Sequence, residues 1–129
     1  MNPLAAAALA AGELVCDFGA ARGEVLIYEA LTEGSAQVLS LARPGRKPVQ
    51  VRITPGHVHL IEPERSSVRV TTLTACTRTR TRAGALQCTQ FAARHAWHFD
   101  TSALIDADAS FRRQPSGASY GVCEPWNLD

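Results

Sequence analysis

Pro48-Val49-Gln50-Val51-Arg52-Ile53-Thr54-Pro55-Gly56-His57-Val58-His59-Leu60-Ile61-Glu62 is the stretch on which the fold turns. Val49, Val51 and Ile53 alternate with Gln50, Arg52 and Thr54, the two-residue period of a strand with one face in a core. Pro55-Gly56 is a tight-turn pair, because Pro presets φ and Gly accepts a positive φ. Val58 and Leu60 then point inward again and leave His57 and His59 on the opposite face. Alternating runs on both sides of such a turn make an antiparallel hairpin.

The same pattern extends in both directions. Glu13–Phe18, Glu24–Ala30 and Ala36–Ala42 precede the hairpin, and Ser67–Cys76 and Leu86–Phe99 follow it, each with strand character and Gly- or Pro-rich connections. Thr residues carry the Ser67 strand on toward Arg82, since β-branched side chains suit a pleated surface. Arg43–Pro48 reads as an exposed basic loop. Phe91, Ala93, His95, Trp97 and Phe99 share one face and form the strongest core stripe. Residues 101–111 suit a short helix or an irregular segment, with Thr101 or Ser102 as N-cap. Ala118–Cys123 reads as a final short strand. These elements predict an all-β protein, an antiparallel meander of seven to eight strands closing into a small barrel that resembles those of lipocalins and related calycins. A β-sandwich is the alternative.

The chain of 129 residues, 46% of them hydrophobic, fits one domain with one core. Residues 1–11 form an Ala-rich tail or a short helix, and residues 12–129 form the barrel. The N-terminal stretch lacks a positively charged n-region and so is not a complete signal peptide. No run approaches the length needed to span a bilayer. A net charge of +1 argues against nucleic acid as the partner, and oligomeric state is not legible. Lys47 is the single lysine among 13 basic residues, which reads first as a compositional bias of the source. The four cysteines, Cys16, Cys76, Cys88 and Cys123, show no CxxC spacing. They are either two disulfides, with three connectivities open, or buried thiols. Disulfides imply a periplasmic or secreted protein, and free thiols a cytoplasmic one.

Three groups of side chains carry chemistry. His57 and His59, at i and i+2 on a strand, can chelate a transition metal; His98 joins them if the strands neighbour, and Glu62 is a nearby carboxylate. The plain alternative is a pair of solvent-facing histidines. Arg78, Arg80 and Arg82 alternate with Thr on one face near a hairpin tip, suited either to binding phosphate or carboxylate groups or to keeping an edge soluble. Ser116-Gly117-Ala118-Ser119-Tyr120, followed by Trp126, resembles the SGxxY segment with a downstream Trp of bacterial inhibitors of C-type lysozyme. Those are small periplasmic eight-stranded barrels held by cystines, whose Ser and Tyr sit on a loop inserted into the lysozyme cleft. The resemblance implies partner-binding roles for Ser116, Tyr120 and Trp126. Here the segment lies near the C-terminus, Gly-Val-Cys-Glu-Pro follows it, and no Trp-x-Lys-Gly run accompanies it. Read from its residues alone, it is a turn and a terminal strand closing one barrel end.

Asp106-Ala107-Asp108 lacks the Gly and the distal Glu of an EF-hand loop. No nucleophile elbow, phosphate loop or dinucleotide fingerprint occurs, so no cofactor and no catalytic residue is expected. The function implied is binding of a small ligand or a protein. A metal-dependent enzyme with a His-lined site at the barrel mouth is the alternative from another class.

Overall fold

The computed structural model describes residues 2–19 and 24–126. Eight strands follow one another in an antiparallel closed barrel: β1 (Leu14–Asp17), β2 (Val25–Glu29), β3 (Ser35–Ser40), β4 (Arg43–Thr54), β5 (His57–Pro63), β6 (Val68–Arg82), β7 (Ala85–His98) and β8 (Gly117–Pro125). Helix α1 (Pro3–Ala11) precedes them. A 3-10 turn (Ser102–Leu104) and helix α2 (Ala107–Arg112) lie between β7 and β8. Among the described residues no helix is long and apolar enough to cross a membrane.

Closure comes from β1 pairing with β8, where Cys16 stands opposite Cys123 and is joined to it by a disulfide. Cys76–Cys88 ties β6 to β7 near their tip. All four cysteines are thus paired.

Side chains fill the lumen. Leu14, Leu26, Tyr28, Val51, Val58, Leu60, Leu73 and Phe91 are buried there with the Cys16–Cys123 disulfide. Small residues on β8 let the wall close around larger ones. A Cβ on Gly121 would strike the Asp17 carbonyl, and one on Gly117 would strike the Trp97 indole. Helix α1 packs against one end of the barrel with Ala5 and Ala8 fully buried. Asn2 caps the helix by accepting from Ala5 N at 2.6 Å, and its Nδ2 donates to the Thr54 carbonyl at 2.7 Å.

Two local expectations are revised. The basic stretch from Arg43 is exposed but is part of β4, and Val38 pairs with Lys47 there. The register shift at Leu39/Ser40 leaves Pro44 and Gly45 between the paired Arg43 and Arg46, and Gly45 supplies the positive φ of 85°. Phe99 is 77% exposed because β7 ends at His98, and Trp97 before it is half-buried, so the core stripe ends at His95. Phe91, Ala93 and His95 hold their places in the core.

A polar chain crosses the lumen. Tyr28 Oη lies 2.6 Å from Thr71 Oγ1, which lies 2.9 Å from His95 Nδ1. Burial, helped by the Arg69 and Arg43 charges, lowers the His95 pKa from 6.5 to about 4. Burial also raises Glu62, whose carboxylate faces Arg43 at 3.7 Å.

Replacing Cys16 and Cys123 by Ser should cost about 4–5 kcal/mol, against about 3 for the short Cys76–Cys88 loop, measured by urea unfolding. Between pH 6.5 and 4 the unfolded chain binds a proton at His95 that the folded chain refuses, so stability falls as pH falls. The His95 share of the loss across that window should be about 3 kcal/mol, and His95→Asn should remove that share while leaving the slope that the buried His59 adds.

Candidate functional site

Strand β5 is buried on both faces, and this locates the site. Val58, Leu60 and Glu62 face the lumen, whereas His57, His59 and Ile61 face outward. The outward face is dry because the excursion from residue 101 to 113 lies over it. Ala103 and Ala107 pack with Ile61, Val68 and Val70 in a second apolar cluster outside the barrel. His59 is therefore fully buried, contrary to a solvent-facing reading.

Asp108 on α2 reaches down to this wall. Its Oδ1 accepts from Thr54 Oγ1 at 2.7 Å, lies 2.8 Å from His59 Nε2 and lies 3.4 Å from His57 Nδ1. The other His59 nitrogen, Nδ1, is 2.9 Å from Thr72 Oγ1. The donor atoms of His57, His59 and Asp108 all fall within 4.8 Å of one another, the arrangement among the described residues that could hold a metal ion. Asp106 makes α2 possible by accepting from Ala109 N at 3.0 Å, the capping role expected of Thr101 or Ser102. Burial lowers the His59 pKa, with Asp108 opposing. Burial of Asp108 acts upward, but hydrogen bonds from His59, Thr54 and His57 outweigh it and hold the carboxyl low. A neutral imidazole thus faces a carboxylate.

His98 is not part of this cluster. It pairs with Val68 on β6, level with Pro63, four residues past Arg94, which is the residue level with His59. At roughly 3.3 Å per residue that is about 13 Å along the wall, and one strand intervenes. Glu62 is excluded by parity: it lies on the luminal face, opposite to His57 and His59. The carboxylate comes from Asp108 instead.

Register then continues the site across the sheet. His59 pairs with Thr72, Thr72 with Arg94, and Arg94 with Tyr120, a single row over four strands. The Arg94 guanidinium lies 4.1 Å from the centre of the Phe111 ring and donates through Nη1 to the Phe111 carbonyl at 3.1 Å. That same ring is 4.7 Å from His57. Arg94, Phe111, Arg112, Arg113, Ser116 and Tyr120 line a groove of about 380 Å³. Tyr120 is 76% exposed.

Of the residues singled out in the sequence, Ser116 and Tyr120 meet in this groove and Trp126 does not, since it follows the far end of β8. Arg78, Arg80 and Arg82 occupy the projecting β6–β7 hairpin. Arg80 and Arg82 line a depression with Ala7, Ala10 and Leu86, well away from Arg94, while Arg78 stands at a register shift. Sequence reasoning assigns no site role to Thr54, Thr72, Arg94, Asp108 or Phe111, and meets Asp108 only in a calcium-loop pattern that fails. A period-two reading of β7 places Arg94 outside, but nothing local places Asp108 over β5.

No protein family, curated protein or solved structure matches this chain. Its site is defined by its own geometry.

Asp108→Ala should free α2 from the wall and leave His59 buried without its partner. The expected loss is about 1–3 kcal/mol, with faster amide exchange confined to residues 102–113 in a hydrogen-exchange experiment.

Proposed function

We propose that this protein is an exported β-barrel that binds an acidic group in the groove between the 107–116 segment and β8. The observation that carries this reading is the meeting of Arg94, Arg112 and Arg113 with Ser116 and an exposed Tyr120 in one concave surface. Guanidinium groups hold carboxylates and phosphates through paired donors. Phe111 orients Arg94 from one side, so the charge is preset and little freedom is lost on binding. Tyr120 offers apolar area with a polar tip, a usual anchor at interfaces. A packed lumen shifts recognition to the outer wall. Two disulfides and no free thiol favour the periplasm or the extracellular space as the working compartment.

One form of that partner is a C-type lysozyme, as the Ser116–Tyr120 resemblance implies. Ser116 and Tyr120 line one surface, and the cleft of a glycosidase of that type carries two carboxyl groups complementary to arginine.

Titration of isotopically labelled protein with citrate should give saturable shifts at Arg94 and Tyr120, and Arg94→Gln should weaken them roughly tenfold. Shifts that never saturate, or that survive Arg94→Gln, would sink the acidic-group reading. Inhibition of a C-type lysozyme, lost in Tyr120→Ala, would add the protein partner; an unaffected enzyme would remove that form alone.

A further inference from the structure

We propose that His57, His59 and Asp108 form a binding site for a divalent transition metal of the Zn(II) or Cu(II) class, with a coordination position open to solvent. The cluster borders the anion groove through Phe111 but uses other donor atoms, and it does not rest on that reading.

The donor types come first. Two imidazole nitrogens and one carboxylate oxygen suit borderline metals, not calcium or magnesium, which take oxygen sets. Geometry comes second. Around a metal with bonds near 2.0–2.1 Å, tetrahedral donors stand roughly 3.3 Å apart. Here His59 Nε2 and His57 Nδ1 are 2.8 and 3.4 Å from Asp108 Oδ1, and all three donors lie within 4.8 Å. Small rotations of side chains would therefore complete a facial triad without moving the strand.

Support behind the donors is third. Thr72 Oγ1 engages His59 Nδ1, which fixes the ring and leaves Nε2 for the metal. Thr54 Oγ1 donates to Asp108 Oδ1 and orients the carboxylate. Metal ligands held in this way by a second layer of hydrogen bonds are preorganised, whereas a chance pair of surface histidines is not. Access is fourth. His57 and Asp108 are 29% and 26% exposed while His59 is fully buried, so the site opens on one side only. Phe111 covers part of that opening, its ring against both imidazoles.

The competing account is that these groups are solely a hydrogen-bonded clasp holding α2 to the wall. The two accounts differ in what happens when metal is added. Untagged full-length protein, stripped with chelator, is titrated with ZnCl2 and separately with CoCl2. The proposal expects one Zn(II) per chain by calorimetry, a raised melting temperature, and visible ligand-field absorption for Co(II) of low coordination number. His57→Ala, on the accessible side, should weaken Zn(II) at least tenfold, and Asp108→Asn, which retains the Thr54 contact, by a similar factor. Both variants should keep the barrel's circular-dichroism spectrum. His98→Ala should bind as the wild type does. Absence of saturable one-to-one binding would overturn the proposal and leave the clasp, as would unchanged affinity in His57→Ala and Asp108→Asn. Loss in His98→Ala alone would also overturn it, by moving the ion elsewhere.

Discussion

Closure of the sheet by β1 against β8 is the constraint on which the other features rest. An open meander would leave two edges of unpaired backbone and an uncovered apolar face. Pairing Leu14–Asp17 with Val122–Pro125 removes both edges, and the Cys16–Cys123 bond fixes that seam covalently. Space is short beside the seam, where the Asp17 carbonyl occupies the volume a side chain on Gly121 would need. On the other edge of β8 the Trp97 ring of β7 does the same at Gly117.

Once the wall is closed, its register is fixed all the way round. A one-residue slip in any strand would exchange the luminal and outer faces. The row His59, Thr72, Arg94 and Tyr120 exists because four strands keep that register together. The same pairing stacks Leu60, Thr71, His95 and Ser119 on the luminal side. Two polar systems thus run back to back through one sheet, one linking Tyr28 to His95 inside and one linking Thr72 to Asp108 outside.

The excursion between β7 and β8 changes the outer system from a wet surface into a site. It covers Ile61, Val68 and Val70 with alanines, lowers Asp108 onto His59, and sets Phe111 between His57 and Arg94. Phe111 connects the histidine cluster to the arginine groove through two ring contacts. A segment this short holds its position because a capping aspartate, a buried apolar patch and a charged hydrogen bond act together.

Two-residue alternation, Gly and Pro punctuation and the β-branched run after Ser67 were enough to read an antiparallel barrel, because burial on one face writes itself into the local pattern. That His57 and His59 share one face of their strand was legible for the same reason, and parity alone separates them from Glu62. The third partner was not legible. Asp108 stands 49 residues from His59 in the chain, and the choice of Asp108 over His98 depends on how far a connection folds back over the wall. The burial of His59, the exposure of Phe99 and the meeting of Arg94 with Ser116 and Tyr120 are likewise products of tertiary packing. Local sequence encodes which way a side chain points from its strand; only the closed sheet and the segment lying on it determine what that side chain meets.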